Sequence, residues 1–297
     1  MPGKFAKVRL AKSIDEIELG HILIKKAPLF IQNWYVEKYK PLTIAEIELC
    51  GVSGFEIILS CKDDESLLKL AEEAKNLGVR AMFSDDNISL PEGFFVPCGA
   101  FVKAFFLGHI IDKFSRAEKI DPSVLNIIII EGGEYFTKAI IKALYNRLNY
   151  LGIIVEKSNT EVYNELALEI FNDCGLNINF GQRGSYLLKE ADIIINLSED
   201  KRGYESFYKK RACYVELAPI RDKLNDINGK RSDILAIDKF SVEYGGSILP
   251  LSQFELIMYL ELSPFYNLIN GRNVEESFSQ VEYSLERRNI RARNLNF

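Results

Sequence analysis

The chain has 297 residues, 27% of them charged and 47% hydrophobic, an ordinary globular composition that predicts two domains. Its 37 basic and 42 acidic residues give a formal charge of -5, which offers no support for nucleic-acid binding, where a basic excess or a basic face is the usual mark. Five widely spaced cysteines (Cys50, Cys61, Cys98, Cys174, Cys213) form no CxxC pair and so predict neither a zinc site nor a redox pair. No metal site is expected. Purely apolar runs such as Ile127–Ile130 are far short of the ~20 residues of a membrane span. With no secretory signal pattern at the start, the expectation is a cytoplasmic protein without a membrane partner. The high isoleucine, lysine and asparagine content suggests an AT-rich, bacterial genome.

In chain order, residues 1–120 read as a small N-terminal α/β domain. Ile14–Lys26 has helical spacing, and Leu42–Cys50 suggests a short helix, because Thr43 and Glu46 make a capping-box pattern. Phe55–Ser60 is a strand, Asp63–Leu77 an amphipathic helix stopped by Gly78, and Val79–Phe83 a second strand, together a β-α-β unit. Ala100–Phe114 reads as one apolar helix. The polar stretch Lys119–Pro122 is taken as the domain boundary.

Residues 121–250 are more regular. Asn126–Ile130 is a β-branched run of the kind buried on both faces of a parallel sheet. Helix Glu134–Leu148, strand Ile153–Val155, helix Thr160–Cys174, strand Leu176–Phe180, a short helix ending at Ala191 and strand Asp192–Leu197 follow. Ala212–Leu217 and Ile234–Ile237 complete a predicted doubly wound parallel sheet. Residues 251–297 read as helices, Gln253–Ile269 and Val274–Arg293, without strand partners, that pack back or form a homodimer contact.

The segments IIIIEGGEYFTKAIIKAL (Ile127–Leu144), GIIVEKS (Gly152–Ser158) and EADIIINLS (Glu190–Ser198) resemble the cofactor domain of oxidoreductases of the shikimate dehydrogenase and glutamyl-tRNA reductase type. The resemblance implies a Rossmann-like domain, NAD or NADP as cofactor, and a small-molecule substrate between the domains. A dinucleotide turn wants G-x-G-x-x-G, for a tight turn, a close approach to pyrophosphate and close helix packing. Here Glu131 stands at the first position, Gly133 at the second and Phe136 at the third. Glu131 and Glu134 place two carboxylates where a pyrophosphate would lie. Two unit charges ~4 Å apart repel by about 4 kcal/mol at an effective dielectric of 20, unless the side chains turn away.

The candidate cofactor-binding residues are therefore Gly132, Gly133 and Glu134 in the first turn. Glu156 and Lys157 after the second strand are candidates for the adenosine ribose or a 2′-phosphate. In the resembling enzymes the stretch matching Asn196, Leu197 and Ser198 lies against the nicotinamide ribose, and a glycine matching Gly245 approaches the nicotinamide. For each of these the bland alternative is a solvated strand end, a loop or a hinge. No catalytic residue emerges. His21 and His109 fall in apolar helical patterns, Cys50 and Cys61 lack a supporting motif, and Cys98 precedes a helix whose N-terminus would lower a thiol pKa. Three readings remain open: an NAD(P)-dependent oxidoreductase acting on a small metabolite, a non-catalytic descendant of that fold with a binding, sensing or assembly role, and an α/β enzyme holding another nucleotide or metabolite at the same strand edge.

Overall fold

The structure is a computed structural model. It describes residues 3–20, 22–86, 88–155, 160–182, 186–200, 205–218, 223–237 and 240–295, with backbone alone over 223–226. The chain divides into two compact units, Met1–Pro97 with Leu256–Ser263, and Cys98–Glu255 with Pro264–Phe297. The first boundary thus falls at Pro97, ahead of the proline-bearing stretch near 120.

The first unit holds β1 (Lys4–Leu10), α1 (Ile22–Lys25), α2 (Leu29–Tyr39), β2 (Leu42–Leu49), β3 (Val52–Leu59), α3 (Asp64–Asn76) and β4 (Val79–Ser84). Its sheet runs β2-β3-β1-β4, with β1 parallel to β3 and β4 and with β2 antiparallel to β3. Helix α3 forms as expected. Asp63 accepts the Ser66 N–H at 2.9 Å as N-cap, Leu70 and Ala74 are buried, and Gly78 follows at φ +74°. The residues predicted as a helix over 42–50 are instead strand β2. Cys50 and Gly51, at φ 50° and 88°, make a two-residue hairpin that pairs the whole of β2 with β3, and this pairing overrides the local capping signal. Ile14–Lys26 likewise gives only a single turn at Ile14–Glu16 and the four-residue α1.

The second unit begins with α4 (Ala100–Ala104) and α5 (Leu107–Glu118), two helices where one was expected, since the chain breaks at Phe105 and Phe106. Then come β5 (Asn126–Ile130), α6 (Glu134–Leu144), β6 (Tyr150–Ile154), α7 (Thr160–Cys174), β7 (Ile178–Gly181), α8 (Leu187–Glu190), β8 (Ile193–Asn196), β9 (Cys213–Glu216), α9 (Lys223–Lys230) and β10 (Leu235–Ile237). All six strands are parallel, in the order β10-β9-β8-β5-β6-β7. Numbered within the sheet, and read from the β7 edge, that order is 3-2-1-4-5-6, the Rossmann order. Ile128, Ile130, Ile194 and Tyr214 share one core with Leu187, Leu188 and Ile227 of α8 and α9. Ile127, Ile129, Ile193 and Ile195, of opposite parity, are equally buried, as a sheet covered on both faces requires.

The C-terminal part is less purely helical than its spacing suggested. β11 (Ser241–Tyr244) and β12 (Ser247–Pro250) form a hairpin, α10 (Leu251–Glu261), α11 (Ser263–Ile269) and α12 (Val274–Arg287) follow, and β13 (Arg291–Arg293) pairs antiparallel with β11. Helix α12 turns its apolar face into the second unit: Phe278 and Val281 are buried, Phe278 stacks on Phe105, and Glu275 pairs with Lys142 of α6 at 3.1 Å.

Candidate functional site at the switch point of the parallel sheet

In a 3-2-1-4-5-6 sheet the strand order reverses between its first and fourth strands, here β5 and β8, and the crevice outside their carboxyl ends is where open α/β sheets take ligands. Two chain segments meet there. The β5–α6 turn carries Glu131, Gly132 and Gly133, and the chain leaving β8 carries Leu197 and Ser198. A Cβ on Gly132 would overlap the Leu197 carbonyl oxygen, so only glycine lets the turn pass this close to β8. Gly133 differs. Its backbone is at φ +130°, it caps α6 with no side-chain bond, and beyond itself and its two chain neighbours no heavy atom of the described residues lies within 4 Å of where its Cβ would be. The turn thus offers clearance directly before the N-terminus of an eleven-residue helix.

The two carboxylates of the turn are both engaged elsewhere. Glu131 is 9% exposed and accepts a 2.7 Å hydrogen bond from the phenol of Tyr163, itself 1% exposed on α7. Burial first, and then this bond, hold the phenol pKa well above its ordinary value, so Tyr163 remains the donor. Glu134 pairs with Lys138 one turn along α6 at 2.8 Å. Phe136, at the position of the third glycine, lies half-buried against Phe101, with ring centroids 5.4 Å apart.

On the β8 side, Asn196 is fully buried and donates its amide to Glu216 Oε1 at 2.7 Å and to the Ser198 carbonyl at 3.0 Å. Two acceptors fix which way the amide points. Its Oδ1 then has no hydrogen-bond partner among the described residues, leaving an unused acceptor at the strand end. Glu216, at the end of β9, also accepts the Ala218 N–H at 2.9 Å and the Tyr214 hydroxyl at 2.7 Å. Burial, with Glu216 beside it, raises the Tyr214 pKa far above the phenol range. The Ser198 hydroxyl accepts the Asp200 N–H at 3.2 Å.

Of the predicted residues, Gly132, Gly133 and Glu134 therefore share one sheet edge with Asn196, Leu197 and Ser198. Glu156 and Lys157 lie outside the described residues. Gly245 lies in a separate three-stranded sheet element. With Gly246, at φ 56° and 79°, it makes the two-residue turn of the β11–β12 hairpin, where a hinge or cofactor-side loop was the expectation. Tyr163, Tyr214 and Glu216 were not anticipated. Their buried helix and strand patterns look like core, and only the position of Glu216 at a strand's carboxyl end hinted at more.

The other candidates are held by the fold. The chain entering α4 presents four N–H groups, and all four are taken by the buried carboxylate of Glu255, at 2.8 Å from Cys98, 2.7 Å from Gly99, 2.9 Å from Phe101 and 3.3 Å from Val102. The end of the helix that was expected to act on Cys98 is already occupied by an anion. Desolvation raises the Glu255 pKa even against these bonds. Cys61 contacts Ser66 and Asp63, Cys50 sits in a hairpin, His109 is exposed beside Phe106, and His21 lies outside the described residues. Among the described residues, no group of three or more His, Cys, Asp and Glu side chains could hold a metal ion, and no helix is long and apolar enough to cross a membrane.

No protein-family model matches the sequence, and no curated protein matches it. Similar solved structures include L-tryptophan dehydrogenase from Nostoc punctiforme, at 16% identity and a TM-score of 0.37, covering 97% of this chain and 81% of that one. Shikimate 5-dehydrogenase from Listeria monocytogenes, in complex with shikimate and NAD, is 9% identical with a TM-score of 0.36, covering 94% and 96%. A 5-ketofructose reductase of Gluconobacter sp. strain CHM43 is 10% identical with a TM-score of 0.34, covering 95% and 99%. The Rossmann assignment rests on the strand order of the second unit and not on these likenesses. It agrees with the expectation raised by residues 126–198.

Proposed function

We propose that the switch point of the parallel sheet binds NAD or NADP and that the protein is an oxidoreductase acting on a small metabolite. The observation that carries the proposal is the clearance at Gly133, at the N-terminus of α6, in a sheet of Rossmann order. The pyrophosphate would lie over Gly133 and the first N–H groups of α6, including that of Glu134, where backbone donors and the helix dipole favour an anion. Gly132 keeps the turn against Leu197. Asn196, Leu197 and Ser198 would lie against the nicotinamide ribose, with the buried Asn196 side chain fixing this strand end through Glu216 and the Ser198 carbonyl. Glu156 and Lys157 would face the adenosine ribose. The bound dinucleotide would supply hydride transfer, and this chain's residues orient it. Lys138 offsets the charge of Glu134, and the Tyr163 bond turns the Glu131 side chain toward α7 without neutralising it, which lessens the charge objection to a pyrophosphate here.

A second reading is a binding or sensing protein that keeps the fold without turnover. It is favoured by the way Glu131 and Phe136, which replace two glycines, both make packing contacts of the fold. Thermal unfolding with NAD, NADH, NADP and NADPH tests the proposal. Stabilisation by one redox pair supports it, and the absence of any shift at millimolar dinucleotide rules it out. Stabilisation without oxidation or reduction of any small hydroxy, keto or amino acid would favour the second reading.

A further inference from the structure

Helix α2 is unusual in this molecule because none of its eleven residues is buried. Apolar side chains go round the whole helix: Leu29, Phe30, Ile31, Trp34, Tyr35 and Val36. A helix of this kind is ordinarily covered on all sides, and an eleven-residue helix has little stability of its own in water. Leu29, Phe30 and Trp34 are 63%, 72% and 53% exposed, and Ile22 and Leu23 on neighbouring α1 are 70% and 78% exposed. Five large apolar side chains within thirteen residues make a patch, not scattered exposure. The next element, β2, also has no buried residue and forms the outer strand of its sheet, with eight residues that include neither proline nor lysine. Such an edge presents unpaired N–H and C=O groups ready to accept another strand. The two features adjoin, because Lys25 of α1, Gln32 of α2 and Thr43 of β2 line one cavity of about 440 Å³.

We infer that the α1–α2 surface and the β2 edge form a homodimer interface with a second copy of this chain. Three observations favour a copy over a lipid surface. The strand edge needs backbone partners, which only protein supplies. The charges bordering the patch are of both signs, with Lys25, Lys26 and Lys38 against Glu37, Glu46 and Glu48, so a two-fold-related copy can be complementary while an anionic membrane gains no net attraction. The area also fits. With ~150–250 Å² per large aromatic side chain, Phe30 and Trp34 alone expose on the order of 250 Å², and the three exposed aliphatic side chains and the β2 edge extend this toward the ~800 Å² per partner of a standard interface. Helix α12, one of the C-terminal helices expected either to pack back or to form an oligomer contact, buries Phe278 and Val281 within its own unit.

Trp34 is the single tryptophan of the chain, so its emission reports on this surface alone. The test is light scattering after size exclusion of the full chain, with Trp34 fluorescence followed across a dilution series. The expected result is a dimer at about 100 µM, where a complex with Kd near 10 µM is mostly formed, and a red shift of emission on dilution. Phe30→Glu and Leu23→Glu should each give a monomer with unchanged circular dichroism and melting, since both side chains already face solvent. A monomer at that concentration would overturn the inference, as would a dimer indifferent to both substitutions. So would a monomer that sediments with phosphatidylcholine–phosphatidylglycerol vesicles in a Phe30-dependent way, which would assign the surface to lipid.

Discussion

Gly132 and Gly133 are neighbours with opposite reasons for being glycine, and substituting them separately divides the fold from the site. In Gly132→Ala the new methyl would overlap the Leu197 carbonyl oxygen, which is backbone and has no rotamer to yield. Either the β5–α6 turn or the end of β8 must move, and both belong to strands whose side chains are almost wholly buried. Overpacking of this kind costs about 1–3 kcal/mol where side chains can adjust, and a backbone obstacle puts Gly132→Ala at the upper end of that range or beyond. At about 2–4 °C per kcal/mol for a unit of this size, the melting temperature should fall by roughly 6–12 °C. Gly133→Ala meets no described atom, so its stability cost is that of placing alanine at φ +130°, of order 1–3 kcal/mol. Its methyl points into the clearance proposed for the phosphate, and dinucleotide affinity should fall at least tenfold. Differential scanning calorimetry with a parallel dinucleotide titration reads both effects. A Gly132→Ala protein that melts like the parent would refute the packing argument, and a Gly133→Ala protein with parental dinucleotide affinity would refute the assignment of the turn.

Tyr163→Phe removes the donor to Glu131, should destabilise the second unit by about 1–3 kcal/mol and should weaken dinucleotide binding. Glu131→Gln, which removes a carboxylate from the turn proposed to hold the phosphate, should tighten binding by about tenfold or more and restore it in the Tyr163→Phe background; isothermal titration of the three variants decides this. Glu255→Gln turns an amide NH₂ toward backbone N–H groups and should cost about 1–3 kcal/mol in chemical denaturation at neutral pH. Because burial raises the Glu255 pKa, the folded state holds that proton more tightly than the unfolded one, so the contribution of this group to stability falls as pH rises from about 4.5 upward. Denaturation across that range should show this slope in the parent and not in Glu255→Gln.

The second unit was legible because its signals agree at every level. The isoleucine runs 127–130 and 193–195 have the length and branching of buried parallel strands, and glycines stand before α6 and after α7. The first unit was less so. Strand β2 carries a helix-start pattern at Thr43 and Glu46, and only its pairing with β3, a non-local fact, makes it a strand. Helix α2 gave no signal because its apolar residues have no preferred face. In the site, the glycines and the Asn196–Ser198 strand end could be read, but the partners that decide their chemistry could not. Whether Glu131 repels a phosphate depends on Tyr163, thirty-two residues away, and a tyrosine within a helical pattern reads as core. The Glu255 anchor spans more than 150 residues and left no local trace.

The proposed function depends on a dinucleotide in the clearance above Gly133. Direct titration of the protein with NADH and NADPH, following nicotinamide fluorescence, tests it most directly, with Gly133→Val as the control. Saturable binding of at least one of the two is expected, with Kd below about 1 mM, abolished by the valine. Absence of binding to the parent protein, or equal binding by both proteins, would contradict it.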